Sequence, residues 1–263
     1  MKKITKYFAV AGVELKNALI YRAQAFGGLI FYPVILFVFF CLWRAIYTQR
    51  DLAGYTLNQI VWYLCITELI AFGMSPRVFA RMNEEVKSGA VAYQLGRPYH
   101  YVFYQYALSM GAMVFSFLVY LIAAIIIGMV FVGPLIGFAW LGAPLMLLMI
   151  FMGASIQFFL QMALGLTAFY AEENGGFFFV YQKFVFMLGM FLPVEFLPDW
   201  LERIAKCLPF SYVCWAPARM VVAFDAAECG RLISMQALWL AFAVCCALTM
   251  FELGKRHIGA NGG

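Results

Sequence analysis

Residues 104–132 read YQYALSMGAMVFSFLVYLIAAIIIGMVFV. The run carries no charge, and at a helical rise of about 1.5 Å per residue it exceeds the roughly 30 Å of a bilayer's hydrocarbon core. Its latter part, Phe115–Val132, shows none of the apolar–polar alternation that a strand of a membrane barrel needs. The stretch therefore predicts a transmembrane helix.

The rest of the chain extends that reading. Apolar residues make up 65% of the 263 positions and charged residues 12%, against roughly 45–50% and 25% in soluble domains. Such a chain lacks the polar surface to live in water alone. Its length, at roughly 20 apolar residues per span plus loops, allows about six helices. We place them near 25–46, 59–74, 104–132, 141–169, 177–192 and 232–251, in a single transmembrane domain covering 1–263. Residues 2–22 repeat Ile4, Phe8, Ala11, Leu15 and Leu19 at helical spacing and predict an amphipathic helix in the membrane interface. The first strong apolar run starts only near Ala25 and precedes no small-residue cleavage pattern, which argues against a cleavable signal peptide.

Lys2, Lys3, Lys6, Lys16, Arg22, Arg77, Arg81, Lys87, Arg97, Lys255 and Arg256 fall on one side of this topology. Arg44, Arg50, Arg203, Lys206, Arg219 and Arg231 fall on the other. The excess on the first side predicts that both termini are cytoplasmic. Residues 193–231 then form an outer segment too polar to span. Within it, Pro198 opens a short amphipathic helix with Leu197, Leu201, Ile204 and Leu208 on one face. On the inner side, residues 78–90 are mostly helix formers of mixed charge that stop at Ser88-Gly89.

Polar residues inside spans are the candidates for function. Glu68 is the deepest charge, either on a solute path or in a structural hydrogen bond. Gln157 and Gln161 share one helix face, where they either glue two helices or line a cavity. The aromatic residues Phe177–Phe179, Phe184 and Phe186 crowd the fifth span, as path lining or as lipid-facing packing. The seven cysteines show no metal-ligand spacing. Cys41, Cys65, Cys245 and Cys246 read as small buried hydrophobes, while Cys207, Cys214 and Cys229 share the outer segment, where a disulfide is an open alternative. No basic block marks a nucleic-acid face. HExxH, GxSxG and the P-loop pattern are absent, so no catalytic role is expected, and ATP-driven transport would need a separate ATPase chain.

Four segments carry a family resemblance: Leu15–Arg22; Leu42–Tyr47 with Gly54–Leu57; Glu84–Gly89 with Leu95–Pro98; and Phe191–Pro193, Leu197–Leu201 and Leu208–Phe210. In this order they resemble ABC-2 type permeases, in particular the viologen-exporter-like membrane components. Gly96 departs from the pattern, where a larger residue is usual. The resemblance implies an all-α integral membrane fold of six spans in a bacterial cytoplasmic (inner) membrane. It implies a second permease subunit, identical or similar, and an ATP-binding cassette ATPase that holds ATP and Mg, with export as the direction. It also implies a cytosolic coupling helix between spans two and three, singling out Arg81, Glu84, Glu85, Lys87 and Arg97. Short outer helices around Pro193, Pro198 and Pro209 would cap the exit. Two other readings compete: a stand-alone proton-coupled transporter using Glu68, and a non-transporting membrane scaffold.

Overall fold

The computed structural model describes residues 2–20, 27–49, 54–73 and 77–261, and among these the fold is helical with no strand. In chain order the helices are α1 (Lys2–Ile20), α2 (Phe31–Gln49), α3 (Leu57–Gly73), α4 (Arg77–Lys87), α5 (Ala90–Leu95) and α6 (Tyr101–Val132). They continue as α7 (Ala143–Leu166), α8 (Gly175–Val185), α9 (Asp199–Cys207), α10 (Ser211–Val222) and α11 (Ala226–Asn261).

The segments containing α2, α3, α6, α7 and α11 are each long and apolar enough to cross a membrane. The expected span at 177–192 is realised as the apolar stretch Gly175–Met190, shorter than the other five, in which α8 runs into a π-helical turn at Phe186–Met190. The first expected span begins at Phe31; its proposed start at 25–26 lies outside the described residues. The last begins well before 232, because Asp225 caps α11: its carboxylate accepts from the Glu228 N–H at 2.7 Å.

The element that organises the core lies in the outer segment, where the resemblance implies only short helices capping the exit. From Tyr212 to Val222, α10 is buried almost throughout, with Trp215 fully enclosed. It packs against α3, α7, α11 and the π turn. Gly153 on α7 permits the approach, since a Cβ there would meet the Val213 carbonyl oxygen at 2.5 Å. The π turn loosens its own ladder, and side chains take up its carbonyls: Ser211 donates to Leu188 O at 2.9 Å and Tyr63 to Gly189 O at 3.0 Å. Gln236 on α11 donates to Met149 O and Tyr212 O, so one amide ties three helices.

The periphery follows the expected amphipathic logic with two shifts. α1 lies along α6, with Ala11 against Gly111, where a Cβ would sit 2.3 Å from the Ala11 carbonyl. Its half-buried positions include Tyr7, Ala11, Glu14, Leu15 and Ala18, so Ala11 and Leu15 of the expected apolar face turn inward while Phe8 and Leu19 point outward. α9 forms behind Pro198 as expected, but Ala205 takes the buried position and Ile204 is exposed.

Candidate functional site

At one end of the bundle the chain turns through the hairpin α4–α5. Gly89 permits the reversal, with φ +73°. One face of α4, formed by Val78, Phe79 and Met82, is buried. Met82 sits on Gly165 of α7, where a Cβ would lie 2.6 Å from the methionine Cβ, and Phe79 stacks on Phe178 at 4.2 Å. The same face carries Glu85. Its carboxylate accepts from the Tyr101 hydroxyl at 2.7 Å and from Gln105 Nε2 at 2.9 and 3.0 Å. α4 is thus fixed to α6 by hydrogen bonds to a charge and to α7 by close packing.

The five coupling candidates therefore divide. Glu84, Lys87 and Arg97 are exposed, Arg81 is half-buried, and Glu85 faces α6. The outward face also presents Tyr93, 83% exposed. The return of the hairpin is braced by α1: Lys6 Nζ donates to Pro98 O at 2.6 Å, and the His100 N–H donates to the Tyr7 hydroxyl at 3.1 Å. Burial pushes the His100 imidazole below its ordinary range, which keeps it neutral where it meets Phe103 and Phe251.

Within the bundle, Gln157 and Gln161 come together at a cavity of about 20 Å³ between α6 and α7, closed at one side by Val78 of α4. They do not glue the helices. That role falls to Tyr106 and Ser155, whose hydroxyls are 2.7 Å apart. The carbonyl oxygens of both glutamines are buried without a partner among the described residues. Glu68 lies elsewhere, on α3 and only 4% exposed, within electrostatic reach of Tyr32, Cys65 and Cys214. It does not line the glutamine cavity. Cys207, Cys214 and Cys229 are free thiols, so no disulfide joins them.

At the opposite end, Pro193 and Pro209 are buried and Pro198 is exposed. Each precedes a helical turn: Val194–Phe196, α9, and, one residue on, α10. Between them lies a polar cluster centred on Arg219, which sequence reasoning did not assemble. Arg219 Nη1 donates to the Tyr55 hydroxyl at 2.7 Å, and Nη2 reaches Glu228 at 3.3 Å. Its Nε is at ion-pair distance from Glu195, 3.3 Å, without the alignment of a hydrogen bond. Trp215 Nε1 donates to Glu195 at 3.1 Å. Burial, and after it the Glu195 carboxylate, raises the Tyr55 phenol above its usual range, so it remains protonated. The signal available in sequence was the near balance of acids and bases across 193–231.

A bundle of long apolar helices with polar groups buried between them and a braced hairpin at one end defines a multi-pass α-helical membrane protein. The chain belongs to the ABC-2 family transporter proteins, whose family model matches residues 29–262. It is thus a membrane component of a transporter. No curated protein matches the chain.

Proposed function

We propose that this chain is the permease subunit of an ATP-binding cassette exporter, driven by an ATPase on a separate chain that carries ATP and Mg. Two permease subunits, identical or paired with a similar protein, would enclose the path. Both termini and the α4–α5 hairpin would face the cytoplasm, with the Arg219 cluster and the prolines 193, 198 and 209 capping the exit. Six spans, with Gly175–Met190 as the short fifth, fit this topology.

One observation carries the reading: α4 is fixed to α6 and α7 on one face and open on the other. Glu84, Lys87 and Arg97 are then the docking groups, with Arg81 beside them. Glu85 becomes the joint that passes motion inward. A lever needs both properties, a free face for the motor and a rigid grip on what it moves. Because coupling between sites is reciprocal, solute in the path should change ATP turnover.

The test is the charge-reversed pair Glu84→Lys with Lys87→Glu in the assembled complex. Insertion and thermal stability should match wild type, while solute-stimulated ATP hydrolysis falls at least tenfold. Full stimulation in that variant would remove the docking face, and purification of an active transporter with no ATPase would remove the whole reading.

A further inference from the structure

We propose that the cavity between α6 and α7 binds a hydrogen-bond-donating head group, such as a primary amine, carried on a largely apolar molecule. In calling this a substrate site the inference rests on the transport reading; the binding itself does not.

Gln161 is 2% exposed and Gln105 1%. The carbonyl oxygens of Gln105, Gln157 and Gln161 have no partner among the described residues. Each orphaned buried polar atom is costly, and two of these three belong to residues that line one cavity. The orientation of Gln105 is fixed, because its Nε2 donates to the Glu85 carboxylate. Its oxygen is therefore a true acceptor. Gln105 stands one turn before Ser109 on α6, and Ser109 lines the cavity with Gln157 and Gln161 of α7.

The lining is biased in sign: the orphaned oxygens of Gln157 and Gln161 are acceptors, and none of the described residues lining the cavity is basic. What enters has to bring donors. Met110, Met113 and Phe158 supply the remaining wall: soft, polarisable sulfur and an aromatic ring that suit an apolar body or a cation. The size is biased too. About 20 Å³ suits a compact group the size of water or ammonium. The helices meet here through long side chains such as Tyr106 against Phe158 and Phe159, so the body of the molecule would rest in the seam between α6 and α7.

The experiment uses three probes of one shape on the purified full-length protein in nanodiscs, with empty nanodiscs subtracted. They are 2-naphthylmethylamine, its N,N,N-trimethylammonium analogue and 2-naphthoate. The amine should bind at least tenfold more tightly than the trimethylammonium, which keeps the charge but loses the donors, and than the anion. Gln157→Leu and Gln161→Leu should each weaken the amine at least tenfold and leave the trimethylammonium unchanged. Equal affinity for amine and trimethylammonium overturns the site, as does wild-type affinity in both variants, which would mean that the cavity holds water only. The probe comparison needs no variant, so misfolding of Gln161→Leu does not obstruct it. An intact amine preference in a wild-type assembly that transports with no ATPase partner would sink the transport reading and leave the site standing.

Discussion

Glu84 projects from α4 into solvent, whereas the carboxylate one residue on accepts three hydrogen-bond contacts from Tyr101 and Gln105 of α6. At the residue scale this difference is a prediction. Glu85→Leu strands a phenol and an amide against apolar neighbours and should cost about 1.5–3 kcal/mol. Glu84→Leu touches nothing and should stay within about 0.5 kcal/mol. Thermal unfolding in one detergent checks both, and equal shifts would show that Glu85 anchors nothing. The sequence offered the adjacent acids as a pair, because charge and helix propensity do not reveal which side of a short helix will meet another. That information resides in Tyr101 and Gln105, far along the chain and unremarkable alone. The two glutamines of α7 were legible in part: their spacing predicted one shared face, and the face is real. That the glue would be Tyr106 and Ser155 was not legible, since a tyrosine–serine pair is indistinguishable from background in an apolar run.

At the scale of elements, the long helices were legible because an uninterrupted apolar run admits only one backbone solution in lipid. α10 was not. Its stretch Ser211–Val222 contains Pro217 and Arg219 and is flanked by Pro209 and Asp225, all of which read as loop. A helix buried on every side also shows no amphipathic period to find. Its place in the core depends on glycines of other elements, and these give the test. Gly153→Leu drives a side chain into the Val213 carbonyl and should destabilise the protein by about 1–3 kcal/mol. Gly230 of α11 has open space around its absent Cβ, so Gly230→Ala should stabilise by about 0.5–1 kcal/mol through helix propensity alone. Thermal midpoints moving in opposite directions would support the packing of α10. A neutral Gly153→Leu would mean that α10 does not press on α7 there.

On the scale of the whole molecule, the two ends of the bundle are closed by different physics. The hairpin end is held by interlocked apolar surface and one half-buried carboxylate whose partners, Tyr101 and Gln105, are neutral, a contact that resists shear but carries little dependence on salt. The opposite end is held by Arg219, which gathers the loop before α3 through Tyr55, the turn after α8 through Glu195, and the start of α11 through Glu228. Three separate segments meet at one guanidinium, and its removal leaves Glu195 and Glu228 near each other with only the exposed Arg231 beside Glu228. Arg219→Met should therefore cost about 3–5 kcal/mol at most, less in proportion to the solvent that reaches the cluster. Adding Glu195→Gln should return part of the loss by relieving the repulsion. The Arg219 contacts are partly exposed ion pairs, so the wild-type contact weakens as salt rises, whereas Glu85 meets neutral partners and Glu85→Leu should cost the same at low and high ionic strength. Thermal unfolding of wild type, Arg219→Met, the double variant and Glu85→Leu at two salt concentrations separates the two closures. If Arg219→Met is neutral, or Glu195→Gln makes it worse, the charged end is not a clasp, and the bundle is held at that end by α10 packing alone.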